Sequence, residues 1–254
     1  MKGVKHRVRQ IAAKVATVAG LLGISGLAAV GYYAFSPPSV NRLSLPEYLI
    51  SLESLMGKKL LNESQIKKDY SLLNTYFETQ KRPAYCGVAS GVMVLNALGS
   101  HQSTYQRLTQ DTFFTSTASS IRSPYLVTFA GMSLDELASL LQSHKRKIEV
   151  YHASTTTLEQ FRAAAKANLQ NDHDFIIVNY SRSAIGQIGG GHISPLAAYH
   201  EKTDKFLIQD VSSYKYPPVW ISTTMLWNAM NTSDGISGKT RGYLIVKTRA
   251  SKLS

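Results

Sequence analysis

Apolar residues spaced three and four apart predict helices over roughly 47–62 and 67–79, and another from Cys86 through Leu98. In that third helix Val88, Val92, Leu95 and, less strictly, Leu98 mark a buried face. Residues 99–124 interrupt the pattern with Ser, Thr and Gln, and no element is predicted there. Ser133-Leu134-Asp135-Glu136 reads as a capped start, because a Ser and the Glu three residues on can satisfy free N–H groups of a first turn. The helix it opens should run to about Ser143. Thr157 to Gln170 is also predicted helical, with Leu158, Phe161, Ala165 and Leu169 on one face.

The strand signals are shorter. Ile148–His152 is a brief one, and Phe175-Ile176-Ile177-Val178-Asn179-Tyr180 is a continuous apolar run that fits a central strand. A loop over Ser181–Gly191 ends in three glycines. His192–Tyr199 then reads as a strand whose Pro195, lacking an N–H, argues for an edge or a bulge. A polar turn at His200–Asp204 leads into strands Lys205–Asp210 and Val219–Ile221, a short helix Thr223–Met230, and a last strand Arg241–Lys247. Helices come first and an antiparallel sheet second, so the expected fold class is α+β.

The start of the chain is of another kind. Lys2, Lys5, Arg7, Arg9 and Lys14 stand without an acid among them, and Val15 to Phe35 are 21 residues without a charge. About 20 apolar residues span a bilayer as a helix. A basic flank stays on the cytoplasmic side, so residues 36–254 are expected to be exported across the membrane. Two readings stay open, an uncleaved membrane anchor and a signal peptide cleaved around Gly26–Ala29. The length of the run favours the anchor; Gly20, Gly23, Gly26 and Gly31 weaken it. The expected organisation is a leader over 1–35, a Pro-containing linker over 36–46 and a catalytic domain over 47–254.

Hydrophobic residues make up 44% and charged residues 17%, enough core for one large domain or two modest ones. Of the net charge of +12, five positive charges lie in the first 14 residues, which leaves about +7 on the rest. Lys and Arg are scattered and no nucleic-acid motif is present, so the charge points to small anions or to a generic basic surface. The single cysteine excludes an internal disulfide framework and a cysteine-rich metal site, and no metal ligands are expected.

That cysteine, Cys86, opens the third helix. Its first-turn N–H groups and the macrodipole favour a thiolate there, and Gly87 and Ala89 leave room for a carbonyl. The plain alternative is a buried structural cysteine. A cysteine nucleophile needs a base and a group to orient it. His101, His144, His152, His173 and His200 are expected on the solvated surface. His192 differs, lying between the glycines and an apolar strand, although a core histidine fits the same pattern. A hairpin centred on Glu201 would place His192 opposite Asp210, whose carboxylate ends an apolar strand and needs a partner. Gln80, six residues before Cys86, could add its amide to an oxyanion site, or lie in solvent.

Three segments carry a resemblance. Pro83-Ala84-Tyr85-Cys86-Gly87-Val88-Ala89-Ser90, Asn96-Ala97-Leu98-Gly99 and Gly190-Gly191-His192-Ile193-Ser194-Pro195-Leu196-Ala197-Ala198-Tyr199 resemble, in order, the signature segments of phytochelatin synthase. The likeness covers about residues 45–248. It implies a papain-like cysteine protease fold, with the nucleophile helix in an N-terminal helical part and the antiparallel sheet behind it. It implies a Cys86–His192–Asp210 triad with Gln80 at the oxyanion site. The substrate it implies is glutathione, cleaved at its Cys–Gly bond through a γ-glutamylcysteinyl thioester. Water would give γ-glutamylcysteine; a second glutathione, or its cadmium or zinc thiolate, would give phytochelatin. By the same resemblance Asn179, Arg182 and Gly191 hold the donor, and Asp234 and Arg241 take the amino and carboxylate ends of its γ-glutamyl group. No tightly bound cofactor is implied, and a homodimer is left open. The chain is similar to the short bacterial form, in which hydrolysis is expected to dominate. A papain-like peptidase on exported peptides and a non-catalytic thiol- or metal-binding module are the competing readings.

Overall fold

A computed structural model of the chain describes residues 29–100, 104–172 and 174–248. The chain separates into two units, Met1–Pro37 and Pro38–Ser254. In the first, residues 29–35 are helical. The rest of the expected leader lies outside the described residues, as do His6, His101 and His173. Among the described residues no helix is long and apolar enough to cross a membrane.

The second unit is built on a seven-stranded sheet. Its strands are β1 (Ile50–Ser51), β2 (Lys147–His152), β3 (Asp174–Ser181), β4 (Gly191–His200), β5 (Lys205–Ile208), β6 (Val219–Ser222) and β7 (Gly242–Lys247), in the order β1-β6-β5-β4-β3-β7-β2. All neighbours are antiparallel. The α+β class expected from the sequence is what forms, although β1 and β2 come from the helix-rich first part.

Both faces of the sheet are buried, which explains the unbroken apolar runs. Along β3, Phe175 and Ile177 join one core while Ile176 and Val178 join the other; along β7, Leu244 and Val246 alternate in the same way with Tyr243 and Ile245. A period-2 backbone between two helical layers needs apolar residues at every position.

On the first face lies α3 (Cys86–Gly99), with α1 (Leu55–Glu63), α2 (Lys68–Thr75), α4 (Ser116–Ile121), α5 (Pro124–Ala130) and α6 (Leu134–Ser143) around it. On the second lie α7 (Leu158–Asn168) and α8 (Thr223–Met230). Every residue of α3 from Gly87 to Gly99 is buried, so this helix is covered on all sides and not on one face as expected. Ser90 Oγ donates to the Ile193 carbonyl at 3.0 Å and ties α3 to β4. The Ser133–Glu136 capping box forms as the sequence indicates, and Thr157 with Gln160 forms a second one at α7.

Several expectations are corrected. The helix read over 47–62 begins at Leu55, because Ser54 caps it and Ile50–Ser51 pairs with β6 instead. The polar stretch 99–124 holds α4 and the capped start of α5. Their N-caps, Thr115 and Ser123, each accept a first-turn N–H. Of the edge or bulge expected at Pro195, the bulge forms, between Leu196 and Ala198 of an interior strand. His200 is buried, bonded to Thr203 and 3.5 Å from Glu63; His144 stacks on Phe113; His152 bridges Asp135 and the Thr240 carbonyl. None of the three is the solvated surface residue expected. Of the expected linker, Asn41 N–H donates to the Tyr214 carbonyl at 2.9 Å and Leu43 N–H to the Lys215 carbonyl at 3.0 Å.

Asn96 pins the chain after α3: Oδ1 accepts from Leu108 N–H at 2.8 Å, and Nδ2 donates to the Leu108 carbonyl at 3.0 Å. Asn96→Ala leaves both part-buried backbone groups without this partner. We expect it to cost about 2–3 kcal/mol, lowering the thermal midpoint by roughly 4–10 °C. A melting curve with no shift would contradict the pinning role.

Candidate active site

Cys86 is the first residue of α3, and Tyr85 before it has left the helical conformation. The thiol is half-buried on the wall of a cleft of about 450 Å³. Burial pushes its pKa up, opposed by bonding to the Ile193 and Gly87 backbone and by the Arg182 charge. Burial of the sulfur thus works against the thiolate that the helix start favours.

His192, second residue of β4, lines the same cleft. Its Nε2 is 2.9 Å from Asp210 Oδ1 and 3.0 Å from Ser194 Oγ. The Tyr180 ring stands edge-on to the imidazole at 5.6 Å. With Nε2 given to a carboxylate, Nδ1 is the nitrogen left to take a proton from the cleft. Burial and then Arg182 hold the histidine pKa down to about 4, against the pull of Asp210.

Asp210 is fully buried. Burial alone would raise its pKa, but Arg182 and His192 hold the carboxyl well below the usual range. Its Oδ1 accepts from His192, from Arg182 Nη2 at 2.8 Å and from Ser212 N–H at 2.8 Å. Burial works against the Arg182 charge too, and Asp210 outweighs it. Gln187 accepts the other end of the guanidinium, while the Arg182 N–H donates to the Gly190 carbonyl at 2.9 Å.

The His192–Asp210 pair forms, but not by the register expected. The turn is Glu201–Thr203 plus Asp204 at φ 48°, held by Arg162, Tyr199 and Thr223, so His200 pairs with Lys205. The bulge after Pro195 takes up one residue, and Gln209 N–H then donates to the Pro195 carbonyl at 2.9 Å. One step further on, Asp210 faces Ser194. His192 is therefore its diagonal neighbour on the same face, within reach of a long side chain.

Gln80 is buried and not solvated. Its Nε2 donates to the Arg82 carbonyl at 2.9 Å, the Pro83 carbonyl at 2.6 Å and Tyr214 Oη at 3.2 Å; Oε1 accepts from Ser212 Oγ at 2.6 Å. It thus joins the loop before Cys86 to the segment after Asp210.

Asn179, Asp234 and Arg241 also line the cleft. Asn179 Nδ2 donates to Asp234 Oδ2 at 3.1 Å, Arg241 Nη1 to Asn179 Oδ1 at 2.9 Å, and the Arg241–Asp234 ion pair spans 3.5 Å. Gly191 allows this approach, since a Cβ there would lie 2.3 Å from Arg241 Nη1. Arg182 reaches the cleft but is 4% exposed, with its guanidinium on Asp210 and Gln187. Met132, Tyr214, Lys215 and Ile236 are also on the wall. No pattern in the sequence marks them, because they come from loops. Among the described residues no group of three or more His, Cys, Asp and Glu is placed to hold a metal ion.

The family model of phytochelatin synthase matches residues 40–243, which takes in every residue of this site. The chain belongs to the phytochelatin synthase family. Its relatives include glutathione gamma-glutamylcysteinyltransferase 3 of Lotus japonicus, 33% identical over 83% of this chain and 43% of that one. Glutathione gamma-glutamylcysteinyltransferase 1 of Arabidopsis thaliana is 33% identical over 82% of this chain and 44% of that one. The Schizosaccharomyces pombe enzyme is 25% identical over 82% and 51%. The chain thus spans about half, or less, of the curated relatives it matches. Among solved structures, xylellain, a cysteine protease from Xylella fastidiosa, is similar with a TM-score of 0.40 and 10% identity, over 84% of this chain and 92% of that one.

In this phytochelatin synthase family member, the depressed His192 pKa couples to stability. The unfolded histidine titrates at about 6.5. Stability from this group is complete above that pH and is lost as pH falls through about 4, because the unfolded chain then binds the proton first. Asp69 works the other way, since burial and then Asp174 push it to about 9. His192→Asn removes that contribution, so the difference in stability between wild type and this variant isolates it. We expect the gap in unfolding free energy to narrow by on the order of 3 kcal/mol between about pH 6.5 and 4. A gap constant with pH would contradict a neutral, buried His192.

Proposed function

We propose that the chain cleaves glutathione at its Cys–Gly bond and passes the γ-glutamylcysteinyl group to water or to a second thiol peptide. One observation carries this reading: a helix-opening Cys86 shares a cleft with His192, whose Nε2 is held by a buried Asp210. The family and the names of its relatives supply the substrate. The basic charge suits a substrate with two carboxylates.

His192 Nδ1 takes the thiol proton as the sulfur attacks the cysteinyl carbonyl carbon, so the costly buried thiolate exists only as it reacts. The Cys86 backbone N–H, one of the unpaired donors of a first helical turn, meets the oxyanion. The Gln80 amide joins it on turning from the Arg82 and Pro83 carbonyls. The intermediate collapses, the C–N bond breaks, and His192 returns the proton to the leaving glycine nitrogen. A thioester on Cys86 remains. Attack by water gives γ-glutamylcysteine, and attack by the amine of glutathione gives phytochelatin. Cadmium or zinc enters as the thiolate complex of the substrate.

Asn179, Gly191, Asp234 and Arg241 receive the γ-glutamyl head in this reading, with the carboxylate on Arg241 and the ammonium on Asp234. Arg182 acts through Asp210. Cys86→Ala and Cys86→Ser should fold as the wild type does and lose glycine release from glutathione by ~1,000-fold or more. Glycine release near the wild-type rate in either variant would remove Cys86 as the nucleophile.

A further inference from the structure

Three cationic side chains stand on the cleft wall: Arg182, Arg241 and Lys215. Arg182 is paired with Asp210, and Arg241 with Asp234. Among the described residues Lys215 has no carboxylate partner at ion-pair distance. Its backbone is fixed, with its N–H on the Ser212 carbonyl at 2.7 Å and its carbonyl taking Leu43 N–H at 3.0 Å. Its Nζ lies 5.9 Å from the centre of the Tyr216 ring. Gly189 leaves space beside it: a Cβ there would lie 3.6 Å from Nζ. Burial, and then Arg182, lower the ammonium pKa, a penalty that an arriving anion would relieve.

The cleft wall places this cation apart from the charged pair of Arg241 and Asp234. His192 is on β4, with β5 on one side and β3, then β7, on the other. Lys215 follows β5, while Asn179 is on β3 and Arg241 immediately precedes β7. Lys215 and the Asn179–Asp234–Arg241 cluster stand at two different places on the cleft wall, the Lys215 Nζ beside Gly189 and the cluster beside Gly191. The two places differ in chemistry. The cluster offers a carboxylate and a guanidinium together, which suits an amino-acid head bearing both charges. Lys215 offers a positive charge alone, which suits a bare carboxylate. Glutathione has one end of each kind, the γ-glutamyl head and the glycine carboxylate.

Resting on the glutathione reading above, we propose that Lys215 anchors the carboxylate on the leaving-group side, and does so twice in one cycle. It first holds the glycine carboxylate, which stands one carbon from the nitrogen that departs. Once glycine has left, the acceptor must bring its α-amino nitrogen to the same point. That nitrogen also has a carboxylate one carbon away, so the same ammonium receives it. The acceptor nitrogen then attacks the thioester carbonyl and loses a proton to His192. The C–S bond breaks, and the sulfur recovers that proton. Water needs no anchor, so Lys215 favours transfer over hydrolysis.

The test compares wild type, Lys215→Gln and Lys215→Arg on glutathione and on its glycine amide, reading released amine and the ratio of phytochelatin to γ-glutamylcysteine. A charge-assisted contact makes wild type prefer glutathione over the amide by about 10- to 100-fold in kcat/KM. Lys215→Gln should erase that preference and lower the transfer ratio about tenfold, and Lys215→Arg should keep both. Equal use of the two substrates by the wild type would overturn the proposal without any variant. So would a preference and ratio unchanged in Lys215→Gln. No amine released from either substrate by the wild type would overturn the glutathione reading, and this one with it.

Discussion

The buried carboxylate of Asp210 is the constraint on which the site depends. An ionised carboxyl without water is costly unless charges and N–H groups replace the solvent. Here one oxygen receives three donors: the Arg182 guanidinium, the His192 ring and the Ser212 N–H. Each donor fixes a different part of the cleft. Arg182 draws in Gln187 and the glycine loop, His192 sets the start of β4, and Ser212 carries the bond to Gln80 and so to the loop before Cys86. A change at Asp210 would therefore be felt at the glycine loop, at the start of β4 and at the loop before Cys86.

The same desolvation governs the reactive pair. Burial raises the thiol and lowers the imidazole, so it favours the neutral form of both. The charge separation that makes a thiolate is then tied to a bound carbonyl. In the proposed reaction, substrate charge is met away from this pair, where Arg241 and Lys215 line the cleft.

Much of this was legible in the sequence, for definite reasons. The run Phe175–Tyr180 announced a strand buried on both faces, and Ser133 with Glu136 announced a helix start, because both signals are local. Cys86, His192 and Asp210 could be paired by chemistry, since a buried acid requires a partner. Their register could not, because it depends on Asp204 in a left-handed turn and on a bulge after Pro195, and these offset the hairpin centre. His200 reads as polar turn and is buried, with Glu63 reaching it from a distant part of the chain. Lys215 carries no local signal at all; the fold brings its loop to the cleft wall beside Gly189.

The central claim is that Asp210 holds His192 so that its free nitrogen activates Cys86. Rapid acid quench of the protein mixed with glutathione, followed by mass spectrometry of the Cys86 peptide, tests it directly. The account predicts one γ-glutamylcysteinyl group on Cys86, forming on the order of 1,000- to 10,000-fold more slowly in Asp210→Asn, by analogy with loss of the orienting acid in serine protease triads. An adduct on another residue, or one forming equally fast in Asp210→Asn, would contradict it.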